Sequence, residues 1–370
     1  MDQITIPADL LPADGRFGCG PSRVGRPALD ELLSLGIDVV GTSHRQSPVM
    51  EQVGALQDAL RALFAPPEGY EVLLTVGGAT AFWDAAVFGL IEQRSQHYVL
   101  GELSGKFAVA ARTAPWLADP ITIDATPGSR PEPVAAPEDV DVHAWTHNET
   151  STGVMQDVKR LDDSLVVVDG TSAAGGLSVD LSEVDVYYFS LQKGFASDGG
   201  LTVAIVSPRA IERIERIAAS DRYVPTFLDL KTVLDHSRKR QTYNTPAVTT
   251  IVLARFQAEK MLETFGSLDA VVTEQQRKAD HVYAWADQRE WASPFVADPA
   301  ARSLVVATID LEGVAASDVN RVLRANGIVD TEAYRKLDRN QLRLGMFPAI
   351  PLADLEAFTA CVDHVAERLV

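Results

Sequence analysis

Two side chains of opposite charge close neighbouring apolar runs. Asp169 ends the run Leu165-Val166-Val167-Val168, and Lys193 follows Val184-Asp185-Val186-Tyr187-Tyr188-Phe189-Ser190-Leu191-Gln192. In open α/β sheets, ligands bind beyond the carboxyl ends of strands. An acid and an amine at two such ends can therefore face one ligand. A lysine amine can bond to an aldehyde carbon and later carry a proton, and a carboxylate can keep a ring nitrogen protonated so that the ring accepts electrons. That division of labour is what pyridoxal phosphate requires. Asp and Lys also close many ordinary strands, so the pair needs a phosphate cup and a substrate clamp beside it.

The segment Thr75-Val76-Gly77-Gly78-Ala79-Thr80-Ala81-Phe82-Trp83 runs from a predicted strand into a predicted helix. Its glycines allow a tight turn, the helix start carries partial positive charge, and Thr80 adds a hydroxyl, which together suit a phosphate. The spacing matches neither a Walker loop nor a dinucleotide fingerprint, and an ordinary βα turn is the alternative. Further polar clusters follow apolar runs at His147-Asn148-Glu149-Thr150, Asp169-Gly170-Thr171-Ser172 and Gln192-Lys193. Thr150 could bond a phenolic oxygen of the ring, whereas His147 reads as a structural histidine. Three basic clusters could clamp an anion: His44-Arg45, Tyr334-Arg335-Lys336 with Arg339 behind it, and Arg343 in Gln341-Leu342-Arg343. Arginine is the usual bidentate partner of carboxylates and phosphates. A solvated loop is the other reading of Arg335, Lys336 and Arg339, but Arg343 lies inside an apolar strand, where a charge needs a partner.

These residues have to be positioned by a fold of ordinary globular composition. The chain has 370 residues, 46% hydrophobic and 23% charged, enough for a sizeable core. Short β-rich runs alternate with helical patterns from Glu71 to Val206, and the runs show little polar alternation. Such strands are buried on both faces, as in a mostly parallel sheet flanked by helices. A strand–helix–strand–helix pattern after a long helix predicts a smaller C-terminal α/β domain. The expected division is 1–250, including an irregular arm over 1–25, and 251–370. A net charge of −18 argues against nucleic acid as a partner. No apolar run reaches membrane-spanning length, and the N-terminus has no secretory pattern. Cys19 and Cys361, the two cysteines, form neither a metal-ligand spacing nor a disulfide framework. A cytoplasmic protein without a metal is expected.

Seven segments in register carry a resemblance: Gly18-Cys19-Gly20-Pro21-Ser22, Ser43-His44-Arg45, Gly77-Gly78-Ala79-Thr80, His147-Asn148-Glu149-Thr150-Ser151-Thr152-Gly153, Val168-Asp169, Ser190-Leu191-Gln192-Lys193 and Tyr243-Asn244-Thr245-Pro246. In this order the chain resembles the phosphoserine aminotransferases, class V pyridoxal-phosphate enzymes, and most of all their actinobacterial branch. The resemblance implies a fold type I transferase and ping-pong exchange of an amino group between glutamate and 3-phosphohydroxypyruvate, giving 2-oxoglutarate and phosphoserine. A phosphorylated threonine-type substrate of pyridoxine biosynthesis is a second activity of that family. It implies that Lys193 is the covalent anchor and Asp169 the partner of the ring nitrogen. Ala79 and Thr80, assisted by Gln192, would hold the phosphate, and Thr150 would touch the ring oxygen. Asn244 and Thr245 would reach the cofactor of the other subunit in a homodimer with shared sites. His44, Arg45, Arg335, Lys336 and Arg343 would bind substrate anions. The family's aromatic residue over the ring is replaced by Leu103, with Phe107 as an alternative cover. Another class V enzyme, such as an alanine–glyoxylate aminotransferase or a cysteine desulfurase, and a non-catalytic protein on the same fold are the competing readings. Neither cysteine is placed to serve a desulfurase.

Overall fold

Runs of β-branched and aromatic residues without polar alternation become strands buried on both faces. The computed structural model describes residues 4–369; Met1–Gln3 of the predicted arm and Val370 lie outside them. In chain order the elements are α1 (Arg26–Val39), α2 (Ser47–Phe64), β1 (Glu71–Val76), α3 (Ala79–Gly89), β2 (Ser95–Val99), α4 (Glu102–Arg112), β3 (Ile121–Asp124), β4 (Val142–Thr146), β5 (Asn148–Glu149), β6 (Val154–Met155), β7 (Leu165–Asp169), β8 (Val186–Ser190), β9 (Leu201–Val206), α5 (Pro208–Ala218), α6 (Leu230–Ser237), α7 (Val248–Phe265), α8 (Leu268–Asp287), β10 (Ala292–Pro294), β11 (Val306–Leu311), α9 (Ala316–Ala325), β12 (Gln341–Gly345) and α10 (Leu352–Leu369).

The main sheet has the order β1-β9-β8-β7-β4-β2-β3. Strands β3, β2, β4, β7 and β8 pair in parallel. Strand β9 is antiparallel to both β8 and β1, so β1 runs in the same direction as the parallel set. The carboxyl ends of β1, β4, β7 and β8 therefore share one edge of the sheet. Every residue of β4, β7, β8 and β9 is buried. Successive side chains alternate between two cores, as the strand period of two requires. Val166, Val168, Tyr187 and Phe189 pack with Leu60 of α2 and Ile251 and Ala258 of α7. Val167, Val186 and Tyr188 pack on the other face with Phe82 of α3, Phe107 of α4, Ile214 of α5 and Leu234 of α6. The mostly parallel, helix-flanked sheet expected from the sequence is thus present.

Beyond α7, the antiparallel sheet β10-β11-β12 packs with α8, α9 and α10 around a third core. The N-terminal arm enters this core through Ile6, Phe17 and Cys19. Phe17 is fully buried, its ring centroid 4.9 Å from that of Phe358. The arm is also tied down by backbone bonds: Gly345 N–H donates to the Phe17 carbonyl at 2.7 Å. Helix α7 begins next to the expected division at residue 250 and gives Ile251, Ala254, Ala258 and Met261 to the main-sheet core. Among the described residues, no helix is long and apolar enough to cross a membrane. No three His, Cys, Asp or Glu side chains among them cluster as a metal site.

Candidate active site

The shared sheet edge gathers the polar clusters. Strand β7 ends in Asp169, whose register partner on β8 is Tyr188. The Asp169 side chain, 6% exposed, accepts from Thr171 N at 2.9 Å through Oδ1 and from Trp83 Nε1 at 3.2 Å through Oδ2. A buried carboxylate survives desolvation only if its lone pairs are used; these two donors take one on each oxygen and leave others for a ligand. Burial, and after it the Asp169 charge, pushes the phenols of Tyr187 and Tyr188 upward. Trp83 has no counterpart among the sequence-predicted site residues. Its signal is the requirement that a buried indole N–H find an acceptor, but the acceptor lies on a distant segment. Behind Asp169, His147 Nδ1 sits 3.1 Å from the Tyr187 hydroxyl. Burial pushes its pKa down to about 4, so the ring is neutral; it does not line the Lys193 cavity.

Lys193 lies in the turn after β8 and is 6% exposed. Its Nζ donates to Thr150 Oγ1 at 2.7 Å. Burial pushes the amine below the ordinary lysine range, and the Asp169 charge opposes that push. The N-terminal arm forms a roof over it. A Cβ on Gly20 would lie 2.8 Å from Lys193 Cε, and Gly20 has a φ of +150°, so this position excludes a side chain on two counts. Ser22 N–H donates to the Gln192 carbonyl at 2.7 Å, fixing the arm to the lysine turn.

The glycine turn stands beside this pair. Gly77 takes a φ of +101°, and Gly78 caps the eleven-residue helix α3 without a side-chain bond. Ala79 N–H donates to Ser190 Oγ at 2.7 Å, which ties the turn to the end of β8. Thr80 is exposed in the first helical turn. Gln192 Oε1 and Thr171 Oγ1 are buried and have no hydrogen-bond partner. A helix start with an exposed hydroxyl, beside an acid, an amine and two unpartnered polar atoms, fits a phosphorylated heterocyclic aldehyde.

A cavity of about 500 Å³ opens on Lys193, lined also by Thr150, Leu103, Tyr334, Arg343 and Cys19, which corrects the expectation that neither cysteine lies near the site. Leu103, not Phe107, is at the cavity wall. Phe107 is turned into the core, edge-on to His97 at 4.9 Å and to Tyr188 at 6.4 Å. Leu103 is held by Glu149, another residue without a role in the sequence reading. The fully buried Glu149 carboxylate accepts from Leu103 N at 3.1 Å, Ser104 N at 3.0 Å and Ser151 Oγ at 2.6 Å. Gly101 makes room for it, since a Cβ there would come within 2.5 Å of Glu149 Cγ.

Arg343, on β12, donates from Nη1 to the Thr150 carbonyl at 3.2 Å and lies 5.4 Å from the centroid of the Tyr334 ring. Its Nε is buried without a partner, and none of the ion pairs among the described residues includes it. The sequence argument that this charge needs a partner is met only by a carbonyl and a ring, leaving donors for an anion. Lys336 is ion-paired with Glu102. Arg335 is exposed on the same segment and does not line the cavity. Arg339 is committed elsewhere: its Nε donates to Asp310 at 3.0 Å, and its guanidinium covers Phe295 at 4.5 Å.

The remaining candidates form a second cluster. Thr245 Oγ1 is 3.3 Å from His44 Nδ1, and Arg45 bonds Gln241 and, at 2.9 Å, the Tyr243 carbonyl. Asn244 is exposed beside them, its carbonyl accepting from Thr242 Oγ1 at 2.6 Å. None of these four lines the Lys193 cavity of its own chain.

Comparison with known proteins identifies the family. The family model "Aminotransferase class-V" matches residues 128–331. A phosphoserine aminotransferase of Nocardioides sp. is 55% identical, over the whole of both chains. That of Corynebacterium glutamicum is 53% identical over 98% of this chain and 97% of its own. The crystal structure of a phosphoserine aminotransferase from Cytophaga hutchinsonii superposes with a TM-score of 0.89 at 25% identity, covering 95% of this chain and 98% of that one. An alanine–glyoxylate aminotransferase from Nostoc sp. shares the fold at 19% identity, with a TM-score of 0.79 over 99% and 97%.

Proposed function

The chain belongs to the class V aminotransferases and, among them, to the phosphoserine aminotransferase family, and from that premise we propose how its own residues divide the work. The reaction is transfer of an amino group between glutamate and 3-phosphohydroxypyruvate, with pyridoxal phosphate as cofactor. When bound, the cofactor supplies an electrophilic aldehyde and a ring that takes up the charge left at the substrate's Cα. Thr80, the Ala79 turn and Gln192 would hold its phosphate, Asp169 its ring nitrogen and Thr150 its ring oxygen, with Leu103 against one face. Lys193 is the covalent anchor and the base at Cα. Burial favours the neutral amine, the form that can attack an aldehyde and accept a proton. Thr150 Oγ1 orients that amine. Arg343 receives the α-carboxylate, and Leu103 and the arm keep water from the lysine.

The observation that carries this reading is a guanidinium without a carboxylate partner, facing a buried lysine across one cavity. The test is reconstitution of the purified protein with pyridoxal phosphate. A visible absorption band is expected, and it should be absent in Lys193→Ala. In single-turnover reactions, the aminated enzyme should react far faster with 3-phosphohydroxypyruvate than with pyruvate or glyoxylate. Equal rates with all three keto acids would overturn the substrate assignment. Whether the chain also serves pyridoxine biosynthesis is decided by the same assay with the phosphorylated threonine-type substrate.

The proposed assembly is a homodimer with shared sites. It is supported by the His44–Arg45–Asn244–Thr245 cluster, which stands away from its own Lys193. Helix α1 also presents Leu29, Leu33 and Ile37 to solvent, the last 90% exposed, a ridge suited to burial against a second copy. The cytoplasm is the proposed compartment, and both cysteines are free and buried. The division into 1–250 and 251–370 is likewise a proposal.

A further inference from the structure

Lys336 carries an anion before any substrate arrives. Its ammonium is ion-paired with Glu102, 234 positions away in sequence. Glu102 immediately precedes Leu103 on one wall of the Lys193 cavity, and Lys336 follows two residues after Tyr334 on the other. The pair therefore ties together two segments that both line the cavity, while neither of its own side chains is part of the lining. Glu102 has a second cation in reach, since Lys106 Nζ lies 3.4 Å from the same carboxylate one helical turn on. It also sits in the first turn of α4, where the helix favours negative charge. Losing Lys336 would thus leave Glu102 neither unpaired nor misplaced. Lys336, with a side chain 55% exposed, is free to swing inward once released.

We propose that Glu102 is a specificity-determining residue: its carboxylate stands in for the substrate phosphate on Lys336 and is displaced by it. This rests on the phosphoserine aminotransferase reading and deepens it. A ligand bearing a phosphate dianion outcompetes Glu102 for the ammonium, because charge-assisted bonds strengthen with the charge and number of acceptor oxygens. A keto acid without that group leaves the pair intact. Discrimination then comes partly from a contact that the wrong substrate fails to break.

The probe is inorganic phosphate, measured as a competitive inhibitor of the glutamate half-reaction and by direct titration of the holoenzyme. Glu102→Gln is expected to bind phosphate roughly two- to fivefold more tightly, the range that release of one exposed ion pair allows. The KM for phosphoserine should fall by a similar factor while that for glutamate stays the same. In the absence of ligand, backbone amides of residues 331–340 should exchange faster in Glu102→Gln, and added phosphate should restore their protection. Lys336→Met should abolish the gain, so that the double variant binds phosphate as Lys336→Met alone does. An unchanged phosphate affinity in Glu102→Gln, or a gain that survives Lys336→Met, overturns the proposal. If phosphoserine is not a substrate at all, the functional reading fails. Phosphate affinity and amide exchange still decide the displacement separately.

Discussion

At the scale of single residues, the site is built on atoms whose partners are few and specific. The bond from Trp83 Nε1 to Asp169 Oδ2 is one of two donors holding a buried charge. Trp83→Phe keeps most of the packing and removes the donor. It should cost about 1.5–3 kcal/mol, the worth of a hydrogen bond to a charged group, seen as a lower denaturant midpoint of the cofactor-free protein. Arg343→Lys keeps the charge but loses the fork that grips two carboxylate oxygens. KM for glutamate and phosphoserine should both rise by about tenfold, a loss near 1.4 kcal/mol, with a smaller change in kcat. Asp169, Lys193 and Arg343 were legible in the sequence because a charge beside or inside an apolar run demands a task, and Thr150 because it belongs to a polar cluster that follows such a run. Trp83 and Glu149 were not, since their partners lie 86 and 46 residues away and only the folded chain joins them.

At the scale of elements, helix α4 is held in place from outside. Its first N–H groups have no partner within the helix, and Glu149, on β5, supplies the acceptor. Glu149→Ala leaves several buried donors unpaired and should cost at least about 3 kcal/mol, measured by chemical unfolding. The short apolar pattern of α4 gave the sequence reading nothing to hold, because its cap is remote. Helix α5 was different: Pro208 follows the capping Ser207, and Ile211, Ile214 and Ile217 repeat every third residue, a signal present in the sequence and not taken up. The reversal of β9 was also there to be read, since residues 191–200 are too few for a helical crossover of about a dozen or more. Burial of two histidines, one on β2 and one just after β4, sets a pH response. It pushes His97 down to about 3 and His147 down to about 4 in the folded chain, against about 6.5 unfolded. Between pH 6.5 and 4 the unfolded chain takes up protons that the folded chain refuses, so stability falls as pH falls. The loss through His147 alone is about 3 kcal/mol by pH 4. Unfolding of His147→Gln should show a shallower slope over that window.

At the scale of the whole molecule, the separation of the two residue clusters predicts cooperation between chains. A hybrid dimer of Lys193→Ala with Arg45→Ala has one damaged site carrying both changes and one site with neither, if Arg45 serves the opposite subunit. Mixing the two inactive variants under conditions that exchange subunits should therefore restore activity, toward half of the wild-type value per hybrid. If Arg45 served its own chain, each site of the hybrid would carry one change and the mixture would stay inactive. For Asn244 and Thr245 the resemblance already implied the other subunit; for Arg45 it implied only an anion, because which subunit a loop serves depends on packing between distant segments.

The tethered arm also orders events in time. Residues near the beginning of the chain are the first to leave the ribosome, yet Phe17 waits for Gly345, Ala13 for Asp354 and Leu10 for Cys361. Contacts of such long sequence separation form late. A nascent chain can assemble the main sheet while its leading end still dangles, and Gly20 can settle over Lys193 only after residues 345–361 have been made. The enzyme thus stays unarmed on the ribosome, and a bulky tag fused ahead of the arm should slow the appearance of activity more than one fused after α10.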